Sequence, residues 1–472
     1  MKMENRLNKI IEWGMYLLVF LLPWQTRWIW HEGLLNGGAW EYGTYSLYGT
    51  EILLWVLVVL RLFGGKIQDS RFKIPKKLLY CYIAILLFLM WSVLSVWWAE
   101  DSGLALYGWL RLFEGVLLFW LIVSTKLDYK KIAGAIVASA TFQAGLGIWQ
   151  FLLQETFASK WLGMALHNAR DLGVSVVEVG LERWLRAYGS LSHPNMLAGW
   201  LVAGLVMCVG LYEGQCEKDR PSIFKIVILL YCYIVILFGL LATFSRGAWV
   251  AFFITLLLYY FITLFRKDKL RKIISFKLLV ITILTVAVFG ITFKAPFMAR
   301  VAGQGRLETM SNTERLAGYR EAWSLIKDNW FKGVGIGNYT LYLYGHTPGQ
   351  REIVMSASVK GVLSEGDEAR MEEKKAWDYQ PVHNLWLLVW TEIGIFGLLF
   401  FAGILLSIIN YQLSIIRKTR QDIWALNFFI ILIVAIILSF FDHYFWSLYF
   451  GAMLWWLVLG LTFVLRYDNM KS

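Results

Sequence analysis

The chain reads as an all-α membrane protein of many spans, and three observations say so. Of its 472 residues 58% are hydrophobic and only 17% charged, with a mean hydropathy of +0.56, a composition that excludes both an ordinary soluble domain and a disordered chain. Apolar runs of about 20 residues, each long enough to cross a bilayer, recur from end to end. Lys and Arg gather in the short segments between those runs, on alternate sides. The net charge of +12 therefore sets topology, and no nucleic acid is needed to explain it.

The runs lie near 10–24, 48–64, 78–98, 105–124, 132–153, 195–213, 225–243, 247–265, 277–293, 382–408, 425–441 and 445–465, which predicts about twelve transmembrane helices. The first follows Lys2, Arg6 and Lys9 and has no small-residue cleavage pattern, so it is expected to remain as an anchor with a cytoplasmic N-terminus. Inner loops then carry Lys66, Arg71, Lys73, Lys76 and Lys77; Lys126, Lys130 and Lys131; Lys218 and Arg220; Arg266, Lys267, Lys269, Arg271 and Lys272; and Arg417, Lys418 and Arg420. Outer connections hold instead Glu100 with Asp101, or Asp442 with His443, so both termini are expected inside. The resulting organisation is 1–153, N-terminal spans; 154–193, an outer loop; 194–293, further spans; 294–381, a large, partly helical extracytoplasmic segment; and 382–472, C-terminal spans. All of His31, His167, His193, His346, His383 and His443 fall in or beside outer segments, whereas Cys81, Cys208, Cys216 and Cys232 do not. No outer disulfide framework is expected, and no His pair has zinc-ligand spacing, so neither metal nor cofactor is called for.

Two outer segments are too long to be turns, which places function on that side. Within the larger one, Leu316, Tyr319, Ala322, Trp323 and Ile326 have the spacing of an amphipathic helix over 312–326, with Asn312 or Thr313 as cap. Gly333-Val334-Gly335-Ile336-Gly337-Asn338 follows, without the strand-before and helix-after context of a dinucleotide site, and reads as a turn. The Glu-, Lys- and Arg-rich stretch 350–380 reads as a solvated insertion.

Three groups carry chemistry. Arg246 lies in the tight connection Ala242-Thr243-Phe244-Ser245-Arg246-Gly247, where a charge so near hydrocarbon needs a reason: either snorkelling to lipid phosphates or binding a substrate anion. Arg183 and Arg186 precede Tyr188-Gly189-Ser190-Leu191-Ser192-His193-Pro194-Asn195; Pro194 suits a first helical turn, so His193 and Asn195 flank an N-terminus that is an anion-facing corner or a plain helix start. His383-Asn384 after Pro381 offers a proton acceptor and either its orienter or a cap. Arg186, Arg246 and His383 are far apart in sequence but share a predicted side and depth, and two guanidiniums with one base suit transfer from a diphosphate. Asp442-His443-Tyr444 is a connecting loop, a second proton acceptor or a holder of the donor sugar, and Arg111 with Glu114, three residues apart, predicts an intramembrane ion pair.

At these same residues the chain resembles the bacterial O-antigen ligase family, most strongly over about 180–465. Arg186 through His193-Pro194-Asn195, Phe244-Ser245-Arg246-Gly247-Ala248, Arg315 to Asn338, His383-Asn384-Leu385-Trp386-Leu387 and Glu392-Ile393-Gly394-Ile395-Phe396-Gly397 occur in the family's order. The resemblance implies a polytopic glycosyltransferase fold that transfers a glycan, with inversion and without metal, from an undecaprenyl-diphosphate carrier to an acceptor hydroxyl at the outer face of the bacterial cytoplasmic membrane. Arg186 and Arg246 would bind the diphosphate and His383 would be the base. Arg183, His193, Asn195, Ser245, Asn384, Arg315, Arg320, Asp442 and His443 are candidates for support. Ligase, polysaccharide polymerase and protein O-oligosaccharyltransferase share this donor half, and the insertion at 350–380 with the short 154–193 segment leaves a lipid, glycan or protein acceptor open. A transporter of lipid-linked saccharide is the rival from another class; it predicts ionisable residues at the midplane and paired broken helices.

Overall fold

The computed structural model describes residues 2–64, 76–218, 220–265, 268–303, 305–346, 376–419 and 423–464. The expected inner cations Lys66, Arg71, Lys73, Arg266, Lys267 and Arg420, and the charged insertion as far as residue 375, lie outside the described residues. In chain order the helices are α1 (Lys2–Leu21), α2 (Gly49–Gly64), α3 (Lys76–Leu94), α4 (Ser102–Ser124), α5 (Tyr129–Leu153), α6 (Pro194–Cys216), α7 (Ile223–Ala242), α8 (Arg246–Leu264), α9 (Lys269–Thr292), α10 (Lys294–Ala302), α11 (Arg306–Asn329), α12 (Tyr339–His346), α13 (Leu385–Thr419), α14 (Ile423–Ser439), α15 (Tyr444–Ser447) and α16 (Tyr449–Val464).

Each expected apolar run is helical, but among the described residues eight helices, α3 to α9 and α13, are long and apolar enough to cross a membrane. The expected count of about twelve is not confirmed by that measure, and two shorter apolar helices, α14 and α16, stand beside the eight. Lys2, Glu4, Arg6, Lys9 and Glu12 interrupt α1, while α2, α14 and α16 have 16, 17 and 16 residues, or about 25 Å of helix against about 30 Å of hydrocarbon. The all-α expectation needs a small amendment as well. Outside the helices run the antiparallel strands β1 (Arg27–His31), β2 (Leu34–Leu35), β3 (Gly38–Ala39) and β4 (Tyr45–Tyr48), paired β1–β4 and β2–β3. In the 154–193 segment β5 (Val176–Val179) pairs with β6 (Glu182–Leu185).

The centre of the bundle is α6, whose most apolar window is 83% buried. Its small residues explain how neighbours come so close. A Cβ on Gly204 would stand 2.4 Å from the Ala140 methyl of α5, one on Gly210 2.3 Å from Asn427 of α14, and one on Gly199 2.4 Å from the Tyr444 hydroxyl. The last approach matters for function, because it seats the loop before α15 on the first turns of α6. The expected ion pair is present: Arg111 Nη1 lies 2.9 Å from Glu114 and 2.5 Å from Glu51 of α2.

Inside α13, Ile393 and Gly394 leave helical geometry, and the glycine-rich turn after α11 fills the break. Val334 N–H donates to Thr391 O, Gly335 N–H to Glu392 O, Gly337 N–H to the buried Glu392 carboxylate (2.8 Å), and Ile395 N–H to Trp330 O. Positive φ at Gly333, Gly335 and Gly337, and a backbone approach at Gly333 that leaves 2.4 Å for a Cβ, require glycine there. Those amides serve a docked turn.

Candidate functional site

The site begins at the connection between α7 and α8. Phe244 has φ 49°, a left-handed conformation rare for an aromatic residue. Its fully buried ring, packed on Phe151, Trp249 and Phe289, fixes it there. The turn so formed presents two carbonyls to two cations: Arg186 Nε donates to Thr243 O (2.7 Å) and Arg300 Nε to Phe244 O (2.7 Å). Arg246 leaves the same turn as the first residue of α8, after the N-cap Ser245, whose side chain makes no capping bond. Its Nη2 meets Glu308 Oε2 at 2.9 Å and donates to Asn312 Oδ1 at 3.2 Å. The other Glu308 oxygen accepts from Arg300 Nη1. One carboxylate thus bridges two guanidiniums, as a phosphate would.

From the other side, α6 brings its N-terminus. His193 is the N-cap, with Pro194 at the first helical position as the sequence predicts. His193 Nδ1 accepts from Asn195 N–H (3.1 Å), which leaves the ring proton on Nε2, facing Ser175 Oγ at 3.1 Å. The Asn195 side chain reaches in two directions: its Oδ1 accepts from Arg186 Nη2 (2.8 Å) and its Nδ2 donates to Asp442 Oδ2 (2.9 Å). The other Asp442 oxygen accepts from His443 N–H (2.8 Å). The His443 ring lies edge-on to the His383 ring, centroids 5.0 Å apart, with Nδ1 2.6 Å from Ser447 Oγ. A continuous polar chain therefore links the turn at Thr243, through Arg186, Asn195 and Asp442, to the His443 backbone, beside which the two imidazoles meet. Asn384 Oδ1 accepts from Leu387 N–H at the start of α13, so it is a cap, while Tyr319 Oη donates to His383 O (3.4 Å).

The third contribution comes from α10 and α11. The amphipathic helix expected at 312–326 is real but starts at Arg306 after an extended Gly305, so Gly305, rather than Asn312 or Thr313, stands at the cap position. Ala322, Leu325 and Ile326 are buried, but Leu316 and Trp323 stay about half exposed. Arg315 Nε is buried with no hydrogen-bond partner among the described residues, and its charge acts on Arg186, Arg300, His383 and His443. Among the described residues, Arg186, Arg246, Arg300 and Arg315 gather here with the carboxylates of Glu308 and Asp442.

Burial first, then Arg300 and Arg315, pushes the Arg186 guanidinium down to about 9, still charged at neutral pH. Burial and Arg186 hold His193 at about 3, and burial with His383 holds His443 at about 3. His383 is lowered too, by burial, against the pull of Asp442. Burial alone would raise the Asp442 carboxyl; the facing imidazoles of His443, His383 and His193 and the Asn195 amide outweigh it and keep it below the usual range. The centre at neutral pH is a set of fixed cations beside uncharged imidazoles.

Not every expected residue joins it. Arg183 reaches the loop before the β5–β6 hairpin, where its Nη1 donates to Arg170 O (3.0 Å), because strand alternation sends it to the face opposite Arg186's route. Arg320 is exposed on α11. Arg300 and Glu308 were not anticipated. One signal for Arg300 is present in the sequence: Lys294 and Arg300 follow α9 at the end expected to be poor in cations. Among the described residues no group of three His, Cys, Asp or Glu side chains is placed to hold a metal.

Residues 231–402 match the family model described as O-antigen ligase, which bears out the resemblance over that stretch. The matched residues run from α7 into α13 and include Arg246, Arg300, Glu308, Arg315 and His383; Arg186, His193, Asn195, Asp442 and His443 lie outside it. No curated protein matches the chain.

Proposed function

From residues 231–402, which carry an O-antigen ligase family domain, we infer that the chain transfers a glycan from an undecaprenyl-diphosphate-linked donor to an acceptor hydroxyl, at the outer face of a bacterial cytoplasmic membrane, without a metal. The observation that carries this reading is the convergence of Arg186, Arg246, Arg300 and Arg315 on one end of the bundle beside His383. Donor diphosphate displaces the Glu308 carboxylate from between Arg246 and Arg300 and takes its charge-assisted bonds. Arg186, tied to Asn195, and Arg315 add charge where the leaving diphosphate develops it.

Neutral His383 is the base. The acceptor oxygen attacks the anomeric carbon from the face opposite the diphosphate, the carbon–oxygen bond to phosphate breaks with its electron pair on the diphosphate oxygen, and the hydroxyl proton passes to the imidazole. Asp442, ionised and within reach of both imidazoles, stabilises the imidazolium that results. Both termini would then face the cytoplasm, and the acceptor would be a lipid, a glycan or a protein.

The transporter reading is weakened by what the intramembrane charges do: Arg111 is committed to Glu51 and Glu114, and Glu392 accepts from Gly337 N–H and Trp446 Nε1. The test is transfer in membranes carrying Arg246→Ala or His383→Ala. Both are expected to insert normally, abolish transfer and accumulate lipid-linked glycan, and chelator is expected to leave the unaltered protein active; normal transfer by both variants rejects the assignment. Envelope glycans lost as whole conjugates identify a ligase, and glycans merely shortened a polymerase.

A further inference from the structure

Next to the arginine centre lies a cavity of about 220 Å³ that none of its arginines and neither His383 nor His443 lines. Its walls come from the β1–β4 region with Arg27, Glu41 and Tyr48, from the 154–175 loop with His167, and from the stretch between β6 and α6 with Tyr188 and Ser192. Three lining residues are chain neighbours of the centre. Glu41 precedes Tyr42, whose ring meets His443 at 5.7 Å; Ser192 precedes His193; and Leu448 follows Ser447, which contacts His443 at 2.6 Å. Its walls are therefore joined by the chain to residues at His193 and His443, on elements other than α8, α10 and α11.

Its chemistry differs from that of its neighbour. Arg27 grips both oxygens of Glu41, at 2.5 and 2.9 Å, and donates to the Tyr48 hydroxyl at 3.2 Å. The pair cancels its own charge, so an anion gains nothing there. Each carboxylate oxygen nevertheless keeps a lone pair, and each guanidinium hydrogen bond is directional, so the fork still reads hydroxyl groups. Two stacked aromatic pairs complete the lining: Tyr48 on Tyr449 at 4.2 Å and 11°, and His167 on Tyr188 at 4.6 Å and 28°. Rings packed on one another leave only their remaining faces and edges to the cavity, and these, with a planar polar fork, suit a ligand that has C–H patches and hydroxyls but no charge.

We propose that this cavity is a subsite for one uncharged sugar ring of the glycan substrates. It rests on the reading that the adjoining centre transfers a glycan. The ring comes either from the acceptor or from the donor sugars beyond the diphosphate; the chemistry is the same in both cases.

The test uses the purified full-length chain in detergent micelles, with saturation-transfer NMR on the methyl glycosides of glucose, galactose and N-acetylglucosamine, glucuronate as anionic control, and inorganic pyrophosphate titrated separately. At least one neutral glycoside is expected to bind and glucuronate to bind less. Glu41→Gln and His167→Ala each should weaken the glycoside by about tenfold with pyrophosphate binding unchanged, and Arg246→Ala should do the reverse. A wild-type protein that binds no neutral glycoside, or binds glucuronate as well, or variants that bind the glycoside normally, overturn the subsite. Glycoside binding that follows expectation while pyrophosphate fails to bind the wild type keeps the subsite and discards the diphosphate reading. In transfer by Glu41→Gln, a raised KM for the envelope acceptor fraction assigns the ring to the acceptor, a raised KM for extracted lipid-linked glycan assigns it to the donor, and no rise in either overturns it.

Discussion

Replacing Glu308 by Gln separates two roles that a buried carboxylate between arginines can have. Its side chain is 9% exposed, that of Arg300 12% and that of Arg246 35%. At about 4 Å and an effective dielectric near 20, one charge pair interacts by about 4 kcal/mol; the exposure of Arg246 and its screening by salt reduce its share to about 1 kcal/mol or less. If the carboxylate occupies the anion position, a ligand phosphate must expel it and regains only part of that interaction. Glu308→Gln should then bind inorganic pyrophosphate about tenfold more tightly, a gain of about 1.4 kcal/mol, in calorimetry on the full chain in micelles. The same variant should melt lower without pyrophosphate, since two guanidiniums lose their counter-charge, and recover more on adding it, by linkage. Raised ionic strength should shrink the difference. Pyrophosphate binding that is equal or weaker in the variant refutes the reasoning and makes Glu308 an organiser of the arginines instead.

Arg300→Ala should cost about a hundredfold or more in transfer rate, as loss of a preorganised charge at a developing anion does, whereas Arg320→Ala should stay within about twofold, both measured against the amount inserted. Because burial lowers His383 from its ordinary value near 6.5, the acid limb of kcat/KM should fall below pH 6.5; a limb above pH 7 contradicts a neutral buried base. The same burial has a stability consequence with a definite sign. His193 and His443, held at about 3, refuse protons that the unfolded chain takes up near 6.5, so melting temperature should fall as pH drops from about 6.5 toward 3, and a rise would be the contrary result. Gly199→Val places atoms where the Tyr444 hydroxyl stands 2.4 Å from a Cβ; it should destabilise by about 1–3 kcal/mol and slow transfer, while the same change at Gly134, with open space around it, should leave transfer unaffected.

Hydropathy made the helical bundle legible, since a run of apolar side chains states its own solvent. The number of spans is harder to read, because apolarity alone does not report length, as with the 16 residues of α2, nor interruption, as with Glu12 in α1. Arg186, Arg246 and His383 were legible for a different reason: each sits where a charge or imidazole costs free energy, so its presence demands a use. Arg300 and Glu308 escaped notice because they lie in a polar stretch where charges need no excuse, and only the packing of α10 on the Phe244 turn tells them from their neighbours. The docking of the glycine-rich turn into the break of α13 was out of reach as well. The pattern Gly-x-Gly-x-Gly announces tight backbone, but its partners Thr391 and Glu392 lie more than fifty residues on, and nothing local names them.

The turn at Thr243 and Phe244 has a mechanical consequence. The carbonyls of Thr243 and Phe244, and Arg246 two residues beyond, hold three cationic side chains within a stretch of four backbone positions, so their spacing is set by the turn more than by the tilt of any helix. Any shift of the α7–α8 turn is therefore felt by α10 and by the stretch before α6, which supply Arg300 and Arg186, so the three charges move together. The grip on the headgroup would arrive already formed, whatever angle the hairpin takes.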